Sequence, residues 1–108
     1  MHCIELENCR DSCEGVVTWF LREYLPKAHF FLVVEEKDLS GEGVLGWCMR
    51  ETQNEFLIQI HNELDENYIS VLLHELEHMR RYYLGLEQNE DDVLSDELTL
   101  LDKYHEKD

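Results

Sequence analysis

The sequence predicts an α+β domain in which a helix, a sheet of two or three strands and two further helices follow one another in that order. Three observations predict it. Apolar residues recur at helical spacing in three segments. Strand-like runs occupy only the middle of the chain. One proline and no low-complexity stretch leave nothing that reads as a linker. A chain of 108 residues builds one modest core, so residues 1–108 read as a single domain.

The first helix is expected over Ser12–Leu25, where Val17, Phe20, Leu21 and Tyr24 share a face and Pro26 ends the run. His29–Glu36 is rich in aromatic and β-branched residues and reads as a strand. Asp38–Gly46 holds three glycines and a serine and reads as a loop. Trp47–Arg50 and Glu55–His61 form a strand pair around a turn at Thr52–Asn54. Phe56, Ile58 and Ile60 alternate with Glu55, Leu57, Gln59 and His61, so the second strand of that pair has one buried face. A long helix follows, capped by Asp65 and stopped by Gly85. The last helix starts at Asn89, takes Glu90, Asp91 and Asp92 at its positive end and runs to about His105.

The net charge of −16 is uneven: residues 1–54 carry −5 and residues 55–108 carry −11. Nucleic-acid binding needs a basic face and anionic membranes repel acid, so both are excluded as partners. No apolar run is long enough to span a membrane, and Met1–Arg10 lacks the pattern of a secretory signal. A cytoplasmic protein with reduced thiols is the expectation. Cys3, Cys9 and Cys13 beside His2 lack the C-x-x-C spacing of structural zinc sites, so unpaired thiols are the better reading for them and for Cys48.

The sharpest signal is His74-Glu75-Leu76-Glu77-His78, an H-E-x-x-H motif inside the long helix. Four residues make slightly more than one turn, so His74 and His78 point the same way and can share an ion. Two imidazoles on one helix are good zinc ligands. Glu75 lies about 100° round the helix and can act as general base without entering the coordination shell. On a helical wheel Ile69, Leu72, Leu76, Met79 and Tyr83 form the buried arc. Glu77, Arg80 and Arg81 are expected to face outward, and the histidines lie at the arc's edge.

Zinc in hydrolases usually takes three protein ligands and leaves one position open. The last helix offers the third. Val93, Leu94, Leu98, Leu101 and Tyr104 make its apolar face, and Glu97 falls near the centre of it. A carboxylate there is costly unless it is paired or holds a cation. Glu97 is the first candidate, with Glu90 on the same face and His105 near the chain end as alternatives. A contact with an arginine such as Arg80 is the structural alternative for Glu97. Asp91, Asp92, Asp96, Asp102 and Glu106 read as a solvated face.

With these residues the chain resembles the zincin metallopeptidases of the glutamate-ligand kind, for His74–His78 is followed 19 residues later by Glu97. In size and order it is similar to minimal SprT-like and phage-encoded metallopeptidases and to the core of ImmA/IrrE-type peptidases. It lacks the third histidine of SprT-like proteins, and Val93 stands where large gluzincins carry an asparagine. The resemblance implies a zincin-like domain that hydrolyses peptide bonds, with His74, His78 and Glu97 holding Zn2+ and Glu75 as general base for a zinc-activated water.

Tyr82 or Tyr104 could serve as oxyanion donor, although both read better as ordinary amphipathic core tyrosines. The edge near Trp47 and Phe56–Ile60 could pair with an extended peptide, and an acidic cleft favours basic or neutral substrates. Trp47 is a substrate platform or, more ordinarily, a core filler. Two other classes fit the sequence. One is a small acidic inhibitor that mimics nucleic acid with the carboxylates of Glu87–Asp108. The other is a non-catalytic zincin whose zinc only stabilises the fold. The sequence leaves the oligomeric state open.

Overall fold

The computed structural model describes residues 2–106. The elements are β1 (His2–Glu7), α1 (Ser12–Tyr24), β2 (Phe30–Lys37), β3 (Gly46–Thr52), β4 (Glu55–His61), α2 (Tyr68–Leu84) and α3 (Glu90–Glu106). The domain is α+β, and its sheet has four strands in the order β1-β2-β4-β3. β1, β2 and β4 run parallel, while β3 is antiparallel to β4 and forms one edge.

Two or three strands were expected, and β1 is the addition. Its alternation is short: Ile4 and Leu6 pair level with Leu32 and Val34, whereas Cys3, Glu5 and Glu7 take the other side. A six-residue edge strand whose outward positions are acidic carries little periodic signal. The remaining elements lie close to their expected bounds. α2 begins three residues after the expected cap at Asp65, because residues 65–67 form a turn first. Gly85 does end it, in the left-handed conformation (φ 72°) that glycine adopts without strain. Asn89 caps α3 as expected, its Oδ1 accepting from the amides of Asp91 (2.9 Å) and Asp92 (3.3 Å).

α1 and α2 cover one face of the sheet. Leu32, Val34, Phe56, Ile58 and Ile60 from that face join Val16, Phe20, Leu72, Leu73, Leu76 and Met79 in one core. Arg10 ties the start of α1 into this layer. Its backbone amide and Nε donate to the buried Glu36 carboxylate (2.6 and 3.1 Å), and its guanidinium lies over the Tyr68 ring at 3.7 Å. α3 packs mainly on α2.

Two expected faces are corrected. Glu77 does not face outward: it is 1% exposed. On α3, Val93 and Leu100 are buried, whereas Leu94 and Leu98 are 50% and 64% exposed. Leucines at positions 94, 98, 100 and 101 surround much of the helix, so its rotation is decided by contact with α2 and not by its own pattern.

The four cysteines are free, and Cys3 alone among them is exposed. Burial pushes the Cys9 thiol up to about 12, with Cys13 and Glu36 adding to it, and burial likewise raises Cys13 and Cys48. Thiolate is the reactive form. Alkylation of the native protein at pH 8, followed by peptide mass mapping, should therefore mark Cys3 first. Equally fast labelling of Cys9 or Cys48 would contradict the packing around them.

Candidate metal centre

α2 and α3 form an antiparallel hairpin, and its geometry assembles the site. His78 lies six residues before Leu84 and Glu90 six after it, so the two stand level across the hairpin. Their side chains meet: His78 Nε2 is 2.9 Å from Glu90 Oε1. His74, one turn earlier on α2, brings its Nε2 to 3.2 Å from Glu90 Oε2. The imidazole centroids are 4.9 Å apart. One ligand atom from each of His74, His78 and Glu90 falls within 4.8 Å of the others.

The other ring nitrogens are already engaged. His74 Nδ1 is 2.8 Å from Glu97 Oε1, and the Ser70 hydroxyl donates to Glu97 Oε2. His78 Nδ1 is 2.7 Å from Gln88 Oε1, while Gln88 Nε2 donates to the His78 carbonyl at 3.2 Å. An ionised carboxylate and an amide oxygen only accept, so each Nδ1 donates. Each Nε2 then faces the Glu90 carboxylate, at 3.2 Å for His74 and 2.9 Å for His78. Positive charge satisfies that contact, either as a proton on the rings or as a cation held between the three groups.

A divalent cation is one species that these three groups could hold there. Two imidazole nitrogens and a carboxylate oxygen match the donor set of a catalytic zinc site. One ligand atom from each residue lies within 4.8 Å of the others, near enough for a single ion to reach all three. Carboxylate and amide partners on the far ring nitrogens hold ligating histidines in the required tautomer.

Of the expected third-ligand candidates, Glu97 does not join the histidines' Nε2 atoms but holds the opposite side of the His74 ring, and it does not meet Arg80. Glu90, the first alternative, stands with both Nε2 atoms instead. The five-residue connection 85–89 brings the first turn of α3 over the histidines, and Glu97 arrives two turns later. The capping signal at Asn89 together with antiparallel levelling would have favoured Glu90. Gln88 had no sequence signal. His105 is exposed at the far end of α3, beside Tyr104.

Glu75 sits beneath this group and is 6% exposed. Burial pushes its carboxyl up to about 7; His78 opposes that rise, and Glu90 and Glu97 add to it. Its charge in turn helps raise the Cys48 thiol of β3, which places β3 alongside the site. Gly46 permits that approach: a Cβ there would meet Val71 Cγ1 and Ile60 Cδ1 at 3.1 Å. The two expected oxyanion donors make contacts of their own. Tyr104 packs edge-on against Trp19 at 5.2 Å, and Tyr82 packs against the core. Trp47 is neither a core filler nor part of the site, for it lies on the opposite face of the sheet, bonded to Gln59.

A second charged cluster supports the hairpin. Glu77 accepts from Arg80 Nε (2.7 Å) and NH2 (2.9 Å) and from Arg81 Nε (3.0 Å). Arg81 also donates to Asp96 at 2.6 Å and to the Glu87 carbonyl at 2.9 Å. Asp96, expected on a solvated face, is thus an anchor of α3. Arg81 holds the segment that carries Gln88 and leads into Glu90.

No protein-family model, no curated protein and no solved structure matches this chain.

Proposed function

We propose that the protein is a zinc-dependent peptide hydrolase of zincin type in which His74, His78 and Glu90 hold the metal and Glu75 is the general base. The observation that carries this reading is the pairing of both Nδ1 atoms with acceptors, which leaves both Nε2 atoms aimed at Glu90. Zinc, when bound, supplies a Lewis acid that polarises a scissile carbonyl and acidifies water. The chain's own residues do the rest. Glu97 and Gln88 fix the ring orientations. Glu75, largely shielded from solvent, takes the proton of the attacking water and returns it to the leaving amine. A carboxyl raised to about 7 suits both steps near neutral pH. β3 is an edge strand beside the motif helix, and its free edge suits an extended peptide. The glutamates around the site favour basic or neutral peptides over acidic ones.

Glu75 separates this reading from a purely structural metal and from an acidic inhibitor. Glu75→Gln is expected to keep one zinc per chain and to lose hydrolysis of a Lys- or Arg-bearing peptide library by about 10²–10⁴-fold. Metal analysis and mass-spectrometric cleavage profiling check both halves. Undiminished turnover by the variant sinks the hydrolase. Cleavage of acidic peptides at an equal or higher rate sinks the substrate preference.

A further inference from the structure

The face of the sheet opposite α1 and α2 is covered by no described helix. Register places Phe31 and Val33 of β2, Leu57 of β4 and Met49 and Trp47 of β3 on it. All five are half-buried, and none belongs to the core or packs against it. An open sheet face ordinarily carries polar residues. Here large apolar side chains run diagonally from Phe31 to Trp47 over about 16 Å, two strand spacings across and four residues along. That is the length of about three turns of helix.

The flanks are acidic. Glu5 and Glu7 of β1 pair level with Val33 and Glu35, and Glu55 pairs level with Phe31. Among the paired positions on this face Lys37, at the end of β2, is the one lysine or arginine; Arg50 of β3 pairs level with Phe56, on the helical side. Polar groups between the apolar ones are already satisfied: Trp47 Nε1 donates to Gln59 Oε1, and Gln59 Nε2 donates to Glu35 Oε1 at 2.8 Å. Covering the patch therefore strands few donors or acceptors.

We propose that this face docks a basic amphipathic helix of another protein, with its apolar stripe on Phe31, Leu57 and Trp47 and its lysines or arginines against Glu5, Glu7, Glu35 and Glu55. A second copy is the poorer occupant, because it brings the same glutamates and a net charge of −16 to the contact. The proposal is independent of the metal centre, which lies on the helical side of the sheet.

The test titrates the full chain with two synthetic helical peptides that share a leucine stripe, one flanked by lysines and the other by glutamates. Calorimetry and tryptophan fluorescence report binding at low and moderate salt. The lysine peptide should bind one to one, about tenfold or more tighter than the glutamate peptide, and weaken with salt. Leu57→Lys and, separately, Met49→Lys should each weaken it at least about tenfold, as burial of one apolar side chain is lost. Glu5→Lys with Glu7→Lys should flatten the salt dependence. Circular dichroism confirms that each variant is folded, and the two apolar sites provide independent readings. His74→Ala should bind the lysine peptide unchanged. The proposal is overturned by equal affinity for the two peptides, by absence of binding, or by affinity indifferent to both apolar variants. It also fails if light scattering shows a dimer that Leu57→Lys dissociates, for then the occupant is a second copy.

Discussion

Glu77→Ala is expected to lower folding stability by about 3–5 kcal/mol, as measured by urea denaturation. The carboxylate is 1% exposed and holds two guanidiniums whose side chains are themselves only 25% and 12% exposed. Removing it leaves Arg80 and Arg81 without their shared counter-ion between the helices. The loss should lower Tm by roughly 15 °C or more in a domain of this size. Glu77→Gln, which keeps the volume and removes the charge, should recover only part of it. Because Arg81 also holds the Glu87 carbonyl and Asp96, the variant should bind metal more weakly although it contains every ligand. A loss under about 1 kcal/mol would mean that the cluster stabilises nothing beyond its solvated alternative.

Metal removal should have a comparable effect. With free zinc a thousandfold above its Kd, binding stabilises the fold by about 4 kcal/mol, so a chelator should lower Tm steeply and zinc should restore it. The variants divide by role. His78→Ala and Glu90→Ala remove donors and should abolish the chelator response. Glu97→Ala should keep it with affinity reduced about 10–100-fold, because Glu97 orients His74 without belonging to the ligand group. Equal loss in Glu90→Ala and Glu97→Ala, or a chelator-insensitive wild type, would refute the assignment. His105→Ala should bind metal as the wild type does.

Much of the secondary structure was legible because its signals are local. The alternation Phe56-Leu57-Ile58-Gln59-Ile60 placed β4 at its observed bounds, and Gly85 and Asn89 marked the ends that the backbone requires. The motif His74–His78 put two imidazoles on one side of α2 by helix geometry alone. β1 was missed because an edge strand of alternating acids resembles a solvated tail. Glu77 was misplaced because a single-helix wheel knows nothing of α3, which covers that side and makes the carboxylate an internal counter-ion.

The amino-acid sequence by itself determined the α+β order, the paired histidines and the acid surplus, since each depends on spacing along the chain. Tertiary structure alone decided the rest. The level of α3 against α2 makes Glu90 the partner of both Nε2 atoms and moves Glu97 behind the His74 ring. The rotation of α3 exposes Leu94 and Leu98. The placing of all the helices that cover the sheet on one face leaves Phe31, Leu57 and Trp47 uncovered on the other. The reason is physical: periodicity states which side chains share a face, and only packing states what that face meets.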